Sequence, residues 1–382
     1  MLKAFKYRMY PTIDQIILIN KHIGASRFIF NLALQTKQTA WISTKVNLSC
    51  FDLMKQIPDL KKECIWLKEI NSQSLQQPIR NLDNAFTKFF KGQSSFPNFK
   101  KKLNNGSFSI PQNIILKNNK LVIPKFKNGI KIVTHRPLKG AIRHAVINKT
   151  HTGKYFVSII CETSESLKLK SLIKENTTIG IDLGLKSFIV SSNKLKIDNP
   201  KFLKKSQNKL KYIQRKYSKH KSKRVKQKLV LLHEKIANQR KDFLHKISSE
   251  LINNHDTICI ENLAISNMLK NHNLAQSISD VGWSTFINML KYKSEWGGKN
   301  ILKIGRFEPS SKTCSSCGFI NKELSLKDRE WVCVKCNSYH DRDLNAAINI
   351  KNFALKNYLS VERRLKNQDK LQTLVGALTL EV

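Results

Sequence analysis

The chain has 382 residues, which is enough for a sizeable core divided among two or three domains. Its 68 Lys and Arg against 27 Asp and Glu give a formal net charge of +41 at pH 7, and repulsion on this scale disfavours a compact chain unless an anionic partner neutralises it. No stretch reaches the roughly 18 consecutive apolar residues of a membrane span, and the first residues lack the apolar region of a signal peptide. Four of the eight cysteines are scattered in apolar surroundings, as core thiols are, and the other four are grouped, so we expect a reducing, cytoplasmic compartment.

Nucleic acid is the expected partner of so basic a chain. Neutralised phosphates release counterions, which rewards Lys and Arg directly. The sequence is also rich in Lys, Asn and Ile, as an AT-rich genome would make it, and codon bias explains part of the Lys excess. Such a bias does not explain the shortage of acids, and we therefore predict nucleic-acid binding.

The first part of the sequence predicts a strand, three helices and then a group of short strands. Residues 3–10 alternate weakly between apolar and polar side chains, which predicts a strand. Apolar side chains at helical spacing predict helices over 13–45, 51–70 and 74–92. From about 93 to 165, short apolar runs are separated by Gly, Asn and Pro, which is typical of a small antiparallel β-barrel or sheet.

Two segments concentrate basic side chains. "SSFPNFKKK" interleaves two Phe with Lys100, Lys101 and Lys102, which is common on nucleic-acid-binding surfaces, although a core Phe pair beside a solvated charge run explains it as well. Residues 201–246 contain 17 Lys and Arg against two acids, so a helix that follows phosphates is a better interpretation than a solvated face. The candidate nucleic-acid contacts in this second segment are Arg215, Lys216, Lys223 and Arg224.

The second half alternates strands and helices, which indicates an α/β domain. "NTTIGIDLGLKSFIVSSNKLKI", which starts at residue 176, predicts a strand, a tight turn and a second strand, and the basic region after it predicts helix over 201–254. A short buried strand at 256–262, a helix at 274–298 and a strand in "NILKIGRF" come next, before a cysteine-rich segment and a last helix.

Four of the eight cysteines are grouped, as Cys314-Ser-Ser-Cys317, then 15 residues, then Cys333-Val-Lys-Cys336. Two such Cys-x-x-Cys turns, called knuckles, present four thiolates in a tetrahedron around a metal ion. Four cysteine ligands leave no open coordination position on that ion. The spacing therefore predicts a structural Zn²⁺ site and not the catalytic metal. Disulfides are the alternative, and a reducing compartment argues against them.

Carboxylates stand at the ends of two predicted strands and at the start of the last helix. Asp182 interrupts the apolar run "IGIDLGL", Glu261 ends the strand "TICIE", and Asp341 or Asp343 opens the helix. Each has an ordinary alternative: supporting the turn with Gly184, pairing with a lysine, or capping the helix. Together they predict carboxylates that converge at the edge of an α/β sheet, where two Mg²⁺ ions would offset their repulsion and hold a phosphate for attack by water.

The two aspartates of "HDRDLNAA" are expected to have different roles because they point in different directions. Asp341 suits the N-cap, where a carboxylate accepts a backbone N–H of the first turn. Asp343 then falls within that turn, where the helix dipole favours its ionised form. Ala346 and Ala347 would let the helix pack closely on the sheet.

The sequence resembles the TnpB (OrfB) proteins of bacterial insertion sequences, which are similar in plan to the miniature type V CRISPR nucleases. The segments that carry the resemblance run nearly from end to end. They are "FKYRMYPT" (5–12), "GASRFIFNLAL" (24–34), "NLDNAFTKFFKG" (81–92), "FPNFKKK" (96–102), "IGIDLGLKSF" (179–188), "IENLAISNMLKNHNLAQSISDVGW" (260–283), "PSSKTCSSCG" (309–318), "DREWVC" (328–333) and "HDRDLNAAINI" (340–350).

The resemblance implies a multidomain α+β and α/β protein that contains an RNase-H-like RuvC nuclease domain. Residues 1–175 would form a β-barrel (wedge) domain that carries a helical recognition insert at about 13–92. Residues 176–358 would form the nuclease domain with a zinc ribbon inserted at about 309–340, and residues 359–382 would form a C-terminal tail.

The resemblance also implies the residues of the site. Asp182, Glu261 and Asp343, the Asp of the D-x-N-A-A motif, would be catalytic and would bind Mg²⁺. Arg329 in "DREW" would approach them from the ribbon. The implied activity is cleavage of target DNA, directed by a transposon-encoded guide RNA, next to a short adjacent motif.

The strand before the ribbon departs from the family pattern, since an acid is expected at Gly305 and a second aromatic residue at Glu308. These positions affect local packing and not the triad. Two other functions stay open: a conventional transposase that performs strand transfer without guide RNA, and a catalytically silent RNA-guided DNA-binding repressor. The ribbon inserted before the third carboxylate disfavours the first alternative, and the complete triad disfavours the second.

Overall fold

The structure, a computed structural model, describes residues 1–103, 105–166, 168–325 and 327–378, with side chains as far as residue 361. The chain divides into two compact units, residues 1–166 and 167–382. Each unit combines a sheet with helices, so the expected mixed α/β class is confirmed. Within the described residues, we find no helix whose length and apolar character would allow it to cross a membrane.

The first unit is built on a seven-stranded antiparallel sheet with the order β2-β6-β7-β1-β5-β4-β3. Its strands are β1 (Leu2–Tyr10), β2 (Gly106–Ile110), β3 (Ile115–Lys117), β4 (Lys120–Ile123), β5 (Phe126–Val133), β6 (Ala141–Lys149) and β7 (Tyr155–Glu162). Along β1, Phe5, Tyr7 and Met9 are buried in one core while the residues between them face outward. The strand predicted at 3–10 and the strand-rich region after residue 93 are confirmed; closure into a barrel stays a prediction.

Helices in the described part of the first unit form a second apolar core. They are α1 (Ile13–Thr44), α2 (Cys50–Lys55), α3 (Ile57–Glu63) and α4 (Ser72–Phe90), with a single 3₁₀ turn at Ile65–Glu69. The helix predicted over 51–70 is wrong as one element. Pro58 has no N–H to donate and its ring clashes with the preceding turn, so the chain starts a new helix there. Cys64 then leaves the helical region, with φ −98° and ψ 77°.

The second unit contains a five-stranded mixed sheet with the order β10-β9-β8-β11-β12. Its strands are β8 (Thr178–Leu183), β9 (Ser187–Ser191), β10 (Lys196–Asp198), β11 (Thr257–Ile260) and β12 (Asn300–Lys303). The first three are antiparallel neighbours, whereas β11 and β12 continue the sheet parallel to β8. A separate hairpin consists of β13 (Glu330–Val332) and β14 (Tyr339–Asp341).

The described residues of this unit form the α-helices α5 (Phe202–His220), α6 (Lys223–Asn254), α7 (Ile265–Met268), α8 (Ala275–Val281), α9 (Trp283–Gly297) and α10 (Arg342–Leu378), and a 3₁₀ turn at Glu175–Thr177. The helix predicted over 274–298 is two helices, because Gly282 adopts φ 73° and ends α8. The basic region is likewise interrupted, at Lys221 with φ 43°. Helix α10 continues through most of the segment predicted as a tail, and residues 379–382 lie outside the described part.

Helix α10 packs closely against β8. Ala346 and Ala347 are buried, and a Cβ on Gly180 would lie 2.1 Å from the carbonyl oxygen of Ala347. Only a residue without a side chain fits at this point of β8. The close approach brings the start of α10 to the edge of the sheet where β8 and β11 end.

Candidate metal centres

Asp182, Glu261 and Asp343 lie at one edge of the five-stranded sheet. Asp182 is the penultimate residue of β8, and Glu261 directly follows β11. These strands are parallel neighbours in which Ile181 pairs with Ile260, so the two carboxylates leave the sheet at the same level. Asp343 is in the first turn of α10, the helix that packs on β8.

The three carboxylates interact electrostatically. The pKa of Asp182 is raised from 3.8 to about 8, chiefly because burial disfavours the charged form, and then because Glu261 and Asp343 are like charges. The Arg342 guanidinium and the N–H of Leu183 oppose this rise. The structure therefore brings the predicted residues together into one site, in which the nearby positive charge does not offset the burial and mutual repulsion of the carboxylates.

Three contacts surround this carboxylate site. Asp341 Oδ1 accepts hydrogen bonds from the N–H groups of Asp343 at 2.9 Å and Leu344 at 3.0 Å, which confirms Asp341 as the N-cap of α10. Arg329 Nη1 lies 3.6 Å from Asp343 Oδ1, and its side chain is half exposed. At that distance the two groups form an ion pair and not a hydrogen bond.

The donor set of the carboxylate site suits Mg²⁺, which prefers carboxylate oxygens and waters. The raised pKa of Asp182 is the property that a cation would reverse, because a bound cation favours the ionised form. The carboxylates are less tightly gathered than the thiols. Among the described residues, the one group of Cys, His, Asp or Glu whose ligand atoms all lie within 4.8 Å of one another is the four cysteines.

The four cysteines of the two Cys-x-x-Cys segments form one cluster, as the spacing predicts, and all are free thiols. The Sγ atoms of Cys314 and Cys336 lie 3.6 Å apart, as do those of Cys317 and Cys333. A tetrahedral ion with Zn–S bonds of about 2.3 Å would hold sulfur atoms about 3.8 Å apart. The cluster therefore has the dimensions and the donor atoms of a zinc site.

His340 closes one side of the thiol cluster. Its Nε2 lies 3.1 Å from the Sγ of Cys314, and its ring packs on Trp331 with centroids 4.8 Å apart. His340 is in β14, directly before Asp341. The cluster and the start of α10 are thus joined by adjacent residues.

The predicted nucleic-acid contacts are distributed over both units. Arg215, Lys216, Lys223 and Arg224 are exposed at the end of α5 and the start of α6, and Lys101 and Lys102 are exposed in the first unit. Lys100 differs from its neighbours, because its Nζ lies 3.8 Å from the centroid of the Phe30 ring in a cation–π contact.

Sequence analysis missed a basic cleft in the first unit and several residues beside the carboxylate site. Lys102 lines a cleft of about 540 Å³ with Lys21 and Arg27 of α1 and with Lys149 of β6, so three segments far apart in the sequence meet there. The missed residues are Ser310 and Arg342, which interact with the carboxylates, and Asn345 and Asn349, which hold the loop of Ser310. The two asparagines have a usable signal, since amides in a helix interior need hydrogen-bond partners when buried, and residues four apart face the same side.

Three segments of the chain match known families. Residues 158–272 match the family described as "Probable transposase", and residues 283–350 match the "Cas12f1-like, TNB domain". Residues 1–45 match a "Helix-turn-helix domain", although in this structure they form β1 and the single long helix α1.

Relatives match along nearly the whole chain. A protein of Streptomyces pristinaespiralis, named "Putative RNA-guided DNA endonuclease", is 35% identical over 359 residues, which cover 91% of this chain and 88% of that protein. A protein of Escherichia coli K12 with the same name and the suffix InsQ is 29% identical over 373 residues, which cover 91% of both.

A solved structure also overlaps with the chain, the "Cryo-EM structure of the Cas12f1-sgRNA-target DNA complex". The match covers 92% of this chain and 99% of that chain, at 18% identity and a TM-score of 0.38. The family assignment follows from sequence. Because the Streptomyces relative is 35% identical over almost all of both chains, and because the transposase match spans Asp182 and Glu261, the chain belongs to the TnpB (OrfB) family.

Proposed function

We propose that this chain is an RNA-guided DNA endonuclease that hydrolyses phosphodiester bonds of target DNA with Mg²⁺. The observation that carries the proposal is the meeting of Asp182, Glu261 and Asp343 at the edge of the five-stranded sheet, where like charges raise the pKa of Asp182. The names of the two relatives support the reaction and its guide. The second unit is proposed to be the RNase-H-like RuvC domain.

Each residue of the site has a proposed task. Bound Mg²⁺ would supply Lewis acidity and an activated water at the scissile phosphate. Asp182, Glu261 and Asp343 would hold the cations, and the rigid ends of β8 and β11 fix two of these carboxylates. Asp341 keeps the first turn of α10 in place beneath Asp343. Arg329, half exposed beside Asp343, is proposed to pair with phosphate oxygens of the substrate.

The thiol cluster is proposed to bind a structural Zn²⁺. Cys314, Cys317, Cys333 and Cys336 fill all four tetrahedral positions, which leaves no open position for a substrate. Zinc would hold the two knuckles together and, through His340 and Asp341, would stabilise the start of α10.

The basic surfaces are proposed to hold guide RNA and target DNA. Base pairing with the guide would discriminate between sequences, while the protein contacts the backbone. The candidates are the exposed residues Arg215 and Lys216 near the C-terminus of α5, Lys223 and Arg224 at the N-terminus of α6, and the segment from Lys100 to Lys102. The first unit is proposed to be the wedge domain with its helical recognition insert, and cleavage is expected next to a short adjacent motif.

Guided plasmid cleavage tests the proposal. The full chain is purified, its bound RNA is sequenced, and a plasmid library carrying the guide's complement beside random flanking bases is incubated with the complex and Mg²⁺. We expect RNA of a discrete size and cleavage only of plasmids that match the guide. Cleavage that does not depend on the RNA would indicate a conventional transposase, whereas guided binding without cleavage would indicate a silent repressor.

A further inference from the structure

The segment that leads into the thiol cluster is held by one face of helix α10. Asn349 Nδ2 donates to the carbonyl oxygens of Ser310 at 2.8 Å and of Thr313 at 2.5 Å. Asn345 Nδ2 donates to the Thr313 carbonyl at 2.7 Å, and Asn345 Oδ1 accepts from the Ser315 N–H at 2.9 Å. These five residues join the loop after β12 to the helix that carries Asp343.

The two asparagines are unusual occupants of a helix interior. Asn is a poorer helix former than Ala, and a buried amide is unfavourable unless it is hydrogen-bonded. Asn345 and Asn349 are only 1% and 3% exposed. They lie four residues apart, so both face the same side of α10. Their hydrogen bonds to the loop satisfy the amides and fix the loop against the helix.

The same loop contacts the carboxylate site. Ser310 Oγ donates a hydrogen bond to Glu261 Oε1 at 2.5 Å. The hydroxyl cannot easily move away, since Ser310 is 4% exposed, its N–H donates to the Glu308 carbonyl and its own carbonyl is held by Asn349. A donor fixed on Oε1 restricts rotation of the Glu261 carboxylate and leaves Oε2 for another partner.

We propose that Ser310 is a positioning residue for Glu261 and that Asn349 acts through it. Helix α10 would then set two carboxylates at once: Asp343, which it carries, and Glu261, which it reaches through Ser310. The proposal rests on the assignment of Glu261 as a metal ligand in the proposed function. Because Ser315 belongs to the same loop and lies between the first two cysteines, the folded ribbon and the orientation of Glu261 form one structural unit.

Metal affinity tests the proposal without cleavage. Mn²⁺ binding is measured by titration calorimetry on the full chain with its copurified RNA, and binding that Asp182→Asn abolishes is counted as binding at the carboxylate site. Ser310→Ala should weaken this binding by about 10- to 100-fold, the range for losing a group that orients a metal ligand. The Mg²⁺ concentration for half-maximal cleavage of a guided plasmid should rise by the same factor.

Two variants serve as controls. Ser310→Thr keeps the hydroxyl and should restore Mn²⁺ affinity to within a few-fold of the wild type. Ser311→Ala removes the neighbouring hydroxyl, which makes no hydrogen bond to the residues that the structure describes, and should leave the affinity unchanged. Zinc content and the melting temperature are measured for every variant. An Mn²⁺ loss that occurs only together with loss of zinc would overturn a positioning role.

A double variant tests the link from Asn349 to Ser310. If Asn349 acts through Ser310, the variant with both Asn349→Ala and Ser310→Ala should bind Mn²⁺ as weakly as the weaker single variant, and no more weakly. Additive losses would overturn the link, and wild-type Mn²⁺ affinity in Ser310→Ala would overturn the whole proposal. Weakened Mn²⁺ binding in Ser310→Ala, with no guided cleavage by the wild type, would support this positioning role and overturn the nuclease assignment instead.

Discussion

The carboxylate of Asp341 accepts a hydrogen bond from the backbone N–H of Asp343 at 2.9 Å, so the first of these two aspartates is engaged with the helix that carries the second. The Asp343 carboxylate is directed elsewhere: it interacts with the carboxyl group of Asp182 and lies 3.6 Å from the Arg329 guanidinium. Two chemically identical side chains, two positions apart, therefore have separable roles.

Substitution of each aspartate should distinguish those roles. Asp343→Ala removes a proposed metal ligand and should abolish guided cleavage while guided DNA binding persists, as should Asp182→Ala and Glu261→Ala. Asp341→Ala removes a cap and should reduce stability by about 1 kcal/mol with cleavage still measurable. Both activities are measured on one guided plasmid substrate, by gel and by filter binding. If Asp341→Ala does not cleave the plasmid and Asp343→Ala does, then Asp341 is the metal ligand and Asp343 is not.

Zinc should be present at one ion per chain and should depend on the knuckles. Cys336→Ser removes one of four ligands, so elemental analysis should find little zinc and the melting temperature should fall. Cys50→Ser is the matched control, because Cys50 is a half-buried thiol of the first unit and is outside the cluster. Wild-type protein without stoichiometric zinc would refute the site.

The contribution of Asp182 to the stability of Mg²⁺-free protein should fall as the pH rises from about 4 to about 8, against an opposite contribution from His22, whose pKa is lowered to about 4 by burial. In this interval the unfolded Asp182 has lost its proton, whereas the folded residue, with its pKa raised to about 8, retains it. The unfolded state then binds fewer protons, and the free energy of unfolding decreases by at most about 1.4 kcal/mol per pH unit. Urea unfolding at several pH values measures the slope.

Two comparisons isolate the contribution of Asp182 to that slope. Asp182→Asn cannot titrate, so the slope of its unfolding free energy against pH should be more positive than that of the wild type. Saturating Mg²⁺ favours the ionised carboxylate and should shift the wild-type slope in the same direction. Equal slopes in the wild type and in Asp182→Asn would show that the fold does not raise this pKa.

The ends of α5 and α6 should contribute to the salt dependence of RNA binding. Replacing Arg215, Lys216, Lys223 and Arg224 by Gln should reduce the slope of log K against log salt by up to about 3, since each phosphate contact contributes roughly 0.7 to 0.9. The control exchanges Arg215→Lys and Lys216→Arg, which keeps the charge and should preserve the slope. An unchanged slope in the Gln variant would show that these four side chains do not contact phosphates of the RNA.

Gly180→Ala should destabilise the second unit. The new Cβ would lie 2.1 Å from the carbonyl oxygen of Ala347, and relief requires α10 to move, at a cost of about 1–3 kcal/mol or more. Gly24→Ala is the matched control, because that helical glycine has no neighbour within 4 Å of the new Cβ and should gain about 0.5–1 kcal/mol. Denaturant unfolding of both variants compares the two effects. A neutral Gly180→Ala would show that β8 and α10 separate readily.

Local sequence signals predicted the elements that carry the site, because those elements are marked by short-range chemistry. Asp182 and Glu261 interrupt or end apolar runs, and the cysteine spacing specifies two knuckles without reference to the rest of the fold. The breaks at Pro58 and Gly282 were missed, since both lie inside segments whose apolar periodicity continues across them. In each case one residue's backbone preference decided the outcome against the surrounding pattern.

Contacts that join distant segments could not be predicted in the same way. The hydroxyl of Ser310 on Glu261, and the amide of Asn349 on the loop, depend on where three separate elements meet in space. Nothing in the immediate sequence of Ser310 distinguishes it from Ser311. Only the packing of α10 decides which of the two adjacent hydroxyl groups faces the carboxylate.

The close packing of α10 on β8 also orders events during synthesis. β8 is the first strand of the second unit to be synthesised. The contact between Gly180 and Ala347 can form only after the basic helices, the thiol cluster and the start of α10 have also been synthesised. Pairings between such distant segments form late in folding. A nascent or prematurely terminated chain that ends before Asp343 therefore already displays its basic helices yet lacks the third carboxylate. Under the proposed function, translation would thus provide a polypeptide with its nucleic-acid-binding helices before it has all three of its metal-binding carboxylates.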